Sequence, residues 1–183
     1  KHFNHLALLR FLVITLISLS GYHPTFAAAI PNPATPSNKL KGSTILLYTK
    51  NGKGYVHDNI PAAVECMKQL AVSEKFSLDV SDDPAVFTED NLKKYQIIVF
   101  TSTNNDVFDN DNQRLAFRHY IEAGGGFVGV HSVTGTERNW TWFKMMLGET
   151  FSWHARFQAF SLKKIDKTHP SMAGVPEIGR AHV

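Results

Sequence analysis

The 183-residue chain has little cysteine and no large excess of charge. Cys66 is the single cysteine, which excludes an internal disulfide, and its place in an apolar stretch with helical spacing predicts a buried thiol. The formal charge is only +3, and two of the basic residues, Lys1 and Arg10, lie in an N-terminal segment without acidic residues. Because a nucleic-acid-binding protein usually has a clustered basic face, nucleic acid is not an expected partner.

Long apolar runs are also missing. The apolar stretch 11–19 is shorter than the about 20 residues that a membrane-spanning helix needs. It follows Lys1 and Arg10 and precedes the small residues 27–29, which is the layout of a secretory signal peptide. We therefore predict a signal peptide at 1–29, a secreted or periplasmic location, and no stable membrane span after cleavage. An uncleaved membrane anchor is the alternative.

Two further segments lack a core-forming pattern. Residues 30–40 are rich in proline and are predicted to be a linker. Residues 177–183 have no periodicity and match one translation frame of a common sequencing-adapter DNA, which predicts a non-native tail. The folded domain is therefore expected at 41–176, and we expect it to be truncated at its C-terminus.

Apolar runs and helical patterns alternate along residues 41–176. Short apolar runs without strict alternation are typical of strands that are buried on both faces of a parallel sheet. Such an order predicts an α/β protein with a doubly wound, mostly parallel sheet, a flavodoxin-like three-layer sandwich. The predicted strands are 44–48, 76–80, 96–101, 127–130 and 157–162, and the predicted helices begin near Ile60, Thr88, Asp109 or Asn110, and Asn139.

A glycine-rich run, 124–131, leads through a predicted strand to His131, and His57 lies in the loop after the first strand. Because ligands bind beyond the carboxyl ends of parallel strands, both imidazoles are expected at one edge of the sheet. Imidazole is an acid or base near neutral pH and a common metal ligand. We expect His131 and His57 to be catalytic, with Glu137 as their carboxylate partner. Hydrogen bonding to loop backbone is the alternative role.

Four other side chains are candidates for substrate binding. Asp58 and Asp106 lie on loops that follow strands, Trp142 belongs to a tryptophan-rich helix, and His154 follows that helix. Aromatic faces beside polar groups suit sugar rings, although most such rings belong to the core. A divalent metal held by the imidazoles of residues 57, 131 and 154 is a further hypothesis, for which the chain has no HxH or HExxH spacing.

These motifs resemble the ThuA (trehalose utilisation) family over nearly all of residues 44–176. The resemblance rests on His57-Asp58-Asn59-Ile60-Pro61, the run from Tyr120 to His131, Thr136-Glu137, Trp142, His154 and His169-Pro170. The family is similar in fold to class I glutamine amidotransferases, in which a G-x-C-x-G turn presents a nucleophilic cysteine. Here that turn reads Gly129-Val130-His131-Ser132-Val133, so the resemblance argues against glutamine hydrolysis.

The resemblance implies a protein of carbohydrate utilisation, and a hydrolase that acts on a small-molecule carbohydrate or its oxidised derivative. A non-catalytic carbohydrate-binding module on the same fold is one alternative, and a metal-dependent hydrolase or isomerase is another. An ordinary glycosidase needs two facing carboxyl groups. Asp58 and Asp106 are the candidates to join Glu137 in that role.

Overall fold

The computed structural model describes residues 38–156, 158–173, 175 and 178–182. The predicted signal peptide, 1–29, and most of the predicted linker, 30–40, lie outside these residues. In the part of the chain that is described, no helix combines the length and the apolar character that crossing a membrane requires.

Four parallel strands form the central sheet, in the order β2-β1-β3-β4. This order confirms the predicted parallel, doubly wound sheet, because strands that follow one another are joined by segments that contain helices. The strands are β1 (Thr44–Tyr48), β2 (Ser77–Ser81), β3 (Ile97–Thr101) and β4 (Gly126–Val130). The helices are α1 (Ile60–Glu74), α2 (Glu89–Leu92), α3 (Asp111–Glu122) and α4 (Thr141–Leu147).

Helix α1 covers one face of the sheet. Val64 and Met67 pack there against a cluster that contains Leu47 of β1 and Val99 of β3. Cys66 lies between these two positions in sequence, so it turns to another side of the helix and is exposed. The prediction of a buried thiol is therefore wrong, because helical spacing shows that a buried face exists but not which of the neighbouring residues lies on it.

Helices α2, α3 and α4 cover the opposite face with an aromatic core. Phe100 of β3 packs against Phe117 of α3 and Phe143 of α4, with ring centroids 5.4 Å and 6.2 Å apart. Asn110 begins α3, because its side chain accepts a hydrogen bond from the backbone N–H of Gln113 at 3.1 Å. Helices on both faces complete the predicted three-layer arrangement.

Strand β4 lies at the edge of the described sheet. Phe127 packs against the core beneath α3, whereas Val128 and Val130 point to the other face and are 47% and 39% exposed. The sequence predicted burial on both faces, and this is wrong for β4 within the described residues. A run of valine and glycine has the same appearance whether one face is covered or two.

A separate antiparallel pair follows the sheet. The strand expected at 157–162 is β5 (Ala159–Lys163), and its partner is β6 (Ile178–His182). No strand was predicted at 178–182. Pairing between strands supplies hydrogen bonds that leave no local pattern in the sequence.

Candidate functional site

The two histidines expected at one site follow different strands of the sheet. His131 is the first residue after β4, and His57 lies in the loop 49–59, here called the β1 loop, which connects β1 to α1. β3 lies between β1 and β4, so the two histidine-bearing segments meet beyond the end of β3. This carboxyl edge is the place where folds of this kind bind ligands.

The imidazole rings of His57 and His131, here called the histidine pair, are in direct contact. Nε2 of His131 lies 3.1 Å from Nδ1 of His57, and the ring centroids are 4.4 Å apart with the planes at 79°. In the neutral pair one of these nitrogen atoms donates and the other accepts. Among the described residues, the second nitrogen of each ring has no hydrogen-bond partner. The structure thus brings the two histidines together, and their catalytic role stays a prediction.

His131 has a strained backbone, with φ 64° and ψ −109°. Residues other than glycine rarely adopt such a positive φ. The residue occupies a sharp turn between β4 and a 3₁₀ helix, Ser132–Gly135, which is the arrangement that α/β hydrolases use to expose a nucleophile. Gly129 permits the turn, because a Cβ there would lie 3.2 Å from the side chain of Val133. Strain of this kind persists where the surrounding structure enforces it, and it clusters at functional sites.

The surroundings of His57 favour its neutral form. Partial burial, and after it the charge of His131, lower the pKa of His57, while Asp58 opposes them by raising it. Because the ordinary pKa of histidine is about 6.5 and that of His57 is lower, the neutral form of this ring predominates at pH 7. A neutral imidazole has a lone pair that can accept a proton from a substrate.

Two hydrogen bonds attach the histidine-bearing segments to the end of β3. The hydroxyl of Ser102 donates to Oδ1 of Asn59 in the β1 loop at 2.8 Å. The hydroxyl of Ser132, next to the strained turn, donates to the carbonyl of Thr103 at 3.0 Å. Consecutive residues after β3 therefore hold both halves of the histidine pair in register.

Asn104 connects the same segments one residue further along. Its backbone carbonyl accepts from the N–H of Gly52 at 2.8 Å, and its Nδ2 donates to the carbonyl of Tyr55 at 3.4 Å, both in the β1 loop. Its Oδ1 accepts from Nη2 of Arg138, beyond β4, at 3.0 Å. Asn104 is 8% exposed, so these bonds are shielded from water.

Of the residues that follow β3, only Asp106 was expected at the site, and Ser102, Thr103 and Asn104 were not. The signal for them is the unbroken polar run 101–106, which begins at the last residue of the buried strand β3. The first four residues of that run are buried although they are polar. Buried polar groups need partners, so a run of this kind at the carboxyl edge indicates a hydrogen-bonding network rather than a solvated loop.

Glu137 is 2% exposed, and three donors occupy its carboxylate. Oε1 accepts from the backbone N–H groups of Val107 and Phe108 at 2.8 Å and 3.1 Å, and Oε2 accepts from Nε of Arg114 at 2.8 Å. These contacts link the segment after β4 to the start of α3, which is a structural task. Among the described residues, no contact joins Glu137 to the histidine pair, and its role as their carboxylate partner stays a prediction.

The two predicted aspartates occupy different positions at this edge. Asp58 is exposed and directly follows His57, whose pKa it raises. Asp106 is also exposed, and its backbone lies against the β1 loop, where a Cβ on Gly52 would come within 2.5 Å of the Asp106 carbonyl oxygen. Both carboxylates are accessible to a ligand at the carboxyl edge.

Trp142 and His154 are not in contact with the histidine pair within the described residues. The ring of Trp142 packs against Phe117 of α3 at 6.2 Å and lies beneath the guanidinium of Arg118 at 5.7 Å. The exposed His154 has its Nδ1 2.8 Å from the carbonyl oxygen of the next residue. The prediction that they bind substrate is untested by these positions.

The metal hypothesis needed a third imidazole beside the histidine pair. Within the described ranges, no group of three His, Cys, Asp or Glu side chains is arranged to hold an ion. A divalent metal at the histidine pair therefore stays a hypothesis.

A parallel sheet of this order, helices on both faces and a strained turn after β4 define an α/β protein of the flavodoxin and class I glutamine amidotransferase type. In this chain a histidine occupies the turn that carries the nucleophile in the amidotransferases. A sequence model of the ThuA family, described as trehalose utilisation, matches residues 44–181. The chain belongs to this family.

Solved structures of similar proteins share the fold. A ThuA-like protein from Bacteroides uniformis is 26% identical with a TM-score of 0.67, and the alignment covers 82% of this chain and 62% of that one. A ThuA-like protein from Parabacteroides merdae is 21% identical with a TM-score of 0.58, and the alignment covers 76% of this chain and 60% of that one. The present chain thus spans about three fifths of the length of these relatives. Comparison with curated proteins gave no match.

Proposed function

We propose that this chain is a sugar-processing hydrolase in which the histidine pair serves as the acid and base. The observation that supports the proposal is the contact of 3.1 Å between Nε2 of His131 and Nδ1 of His57, with His131 on a strained turn at the carboxyl edge. Membership of the ThuA family supports a carbohydrate as the substrate class.

The pair suits proton transfer at a glycosidic bond. Hydrolysis requires a base that activates water and an acid that protonates the leaving oxygen. In the neutral pair the ring that accepts the shared hydrogen bond carries an N–H on its outer nitrogen, and the ring that donates it has an outer lone pair. One pair therefore offers a base that takes a proton from water and, once that proton has passed along the shared hydrogen bond, an acid that protonates the leaving oxygen.

We further propose that the enzyme acts outside the cytoplasm, in the periplasm or after secretion. The support is the order of basic residues, apolar stretch and small residues in 1–29. A small-molecule carbohydrate in that compartment would reach the carboxyl edge without crossing a further membrane.

A non-catalytic carbohydrate-binding module on the same fold is the second candidate. The occupied carboxylate of Glu137 favours it, because ordinary glycosidases use two free carboxyl groups. Asp58 and Asp106 are the exposed carboxylates left to take part.

The test is turnover of a panel of trehalose, maltose, cellobiose and their 3-keto derivatives by the purified chain. His57→Ala and His131→Ala should each lower kcat/KM at least about 100-fold, the usual contribution of general acid–base catalysis. His119→Ala is the matched control, because that exposed histidine lies on α3 and pairs with Glu89. Binding without turnover would support the carbohydrate-binding module instead. Loss of turnover on chelation, with rescue by a divalent ion, would support the hypothesis of a metal-dependent enzyme.

A further inference from the structure

Tyr55 is a large aromatic residue that stands exposed beside the histidine pair. Its side chain is 66% exposed, and its ring centroid lies 4.9 Å from that of His57 with the planes at 83°. Among the described residues, its hydroxyl has no hydrogen-bond partner. An exposed aromatic ring next to two polar imidazoles therefore forms part of the surface that a ligand of the pair would meet.

The chain before Tyr55 is packed closely against the loop after β3. A Cβ on Gly52 would lie 2.5 Å from the carbonyl oxygen of Asp106, and a Cβ on Gly54, whose φ is 140°, would lie 2.7 Å from Nδ2 of Asn105. Glycine is the residue that allows both approaches. Together with the hydrogen bond from Asn104 to the carbonyl of Tyr55, these contacts fix the position of the Tyr55 backbone.

Charge around Tyr55 favours a neutral ligand. Lys53 and Asp58, both exposed, carry opposite charges on the β1 loop, and its other cation, Lys50, pairs with Asp109, so no single sign dominates. Nearby imidazole nitrogen atoms can donate hydrogen bonds to hydroxyl groups or accept them, and the carboxylate of Asp58 can accept them. An apolar ring face with hydroxyl partners at its side matches a pyranose, which has an apolar C–H face and equatorial hydroxyls.

We infer that Tyr55 is the platform on which a neutral pyranose ring stacks while the histidine pair meets its hydroxyl or glycosidic oxygen. The inference rests on the proposed function for the identity of the ligand as a sugar. Beyond that function, the inference names Tyr55 as the residue that binds the sugar ring and a neutral pyranose as the kind of ring. Tyr55 is thus a binding residue and takes no part in proton transfer.

The experiment is calorimetric titration of trehalose and the other sugars of the panel into the full chain and its variants, beside kinetics on the same panel. Tyr55→Ala should weaken binding, and raise KM, about tenfold, which corresponds to about 1.4 kcal/mol, while kcat stays within about twofold. Tyr55→Phe keeps the ring and should bind like the wild type. Val72→Ala is the matched control, because Val72 is 81% exposed near the end of α1.

The outcomes separate the two proposals. Binding that weakens in Tyr55→Ala and is kept in Tyr55→Phe supports the platform, even if no sugar is turned over and the catalytic proposal fails. Binding in Tyr55→Ala equal to that in Val72→Ala overturns the platform and leaves the catalytic proposal standing. Absence of binding by every sugar of the panel overturns both.

Discussion

Nε2 of His131 lies 3.1 Å from Nδ1 of His57, although β3 separates the two strands that precede these residues and 74 positions separate them in the chain. The contact depends on the β1 loop, which reaches the end of β3, and on the strained turn that directs His131 over the same strand. The backbone strain at His131, the charges around His57 and the contacts of the β1 loop can each be changed by a separate substitution.

Glycine should be better tolerated than alanine at position 131. Both substitutions remove the imidazole, but only glycine adopts a φ near 64° without steric cost. Strain at such a residue is on the order of 1–3 kcal/mol, and the extra entropy of glycine in the unfolded chain offsets about 0.5–1 kcal/mol of it. Urea unfolding should find His131→Gly about 1 kcal/mol more stable than His131→Ala. A His131→Gly protein that is about 0.5–1 kcal/mol less stable than His131→Ala would show that the turn stores no strain.

The pKa of His57 should move in opposite directions in two variants. His131→Ala removes a charge that lowers this pKa and should raise it, whereas Asp58→Asn removes a charge that raises it and should lower it further. Titration of the imidazole resonances by NMR measures both. His119→Ala, which alters a histidine outside the pair, serves to assign the signals and should leave the His57 pKa in place. Shifts of the same sign would contradict direct coupling between these groups.

Stability should depend on pH through the same group. Because the pKa of His57 is lower in the folded than in the unfolded chain, the folded state binds this proton less tightly. The resulting stability is present above the unfolded pKa of about 6.5 and is lost as the pH falls through the folded value. The free energy of unfolding should therefore decrease from pH 7 to pH 5 more in the wild type than in His57→Asn. Parallel curves for the two proteins would refute the shift.

Local patterns predicted the elements of the fold better than their surroundings. The run 44–48 predicted β1 to the residue, because a short apolar run of four residues after the β-branched Thr44 is the whole signal for a buried strand. The exposure of Cys66 and Val128 was not predictable, since it depends on which neighbouring element covers each face. The partners of Glu137 were not predictable either, because backbone N–H groups about 30 positions away leave no mark in the sequence.

Removal of the Glu137 carboxylate should lower the free energy of unfolding. Glu137→Ala leaves two backbone N–H groups and a partly buried Arg114 without their acceptor, which should cost about 3–5 kcal/mol. Asp111→Ala is the control, because it removes an exposed partner of the same arginine and should cost less than about 1 kcal/mol. Denaturant unfolding measures both. A stable Glu137→Ala protein that has lost turnover would instead establish the carboxylate as a catalytic group.

Asn104 should couple the position of the histidine pair to the loop after β3. Asn104→Ala removes the acceptor for Arg138 and the donor to the Tyr55 carbonyl, and should cost about 2 kcal/mol. Asn104→Asp keeps the acceptor and loses only the donor, so it should cost less. Because both variants remove one of the two hydrogen bonds from residue 104 to the β1 loop, both should move the pKa of His57 toward its ordinary value, as measured by NMR. If stability falls while that pKa stays unchanged, Asn104 supports the fold without positioning the pair.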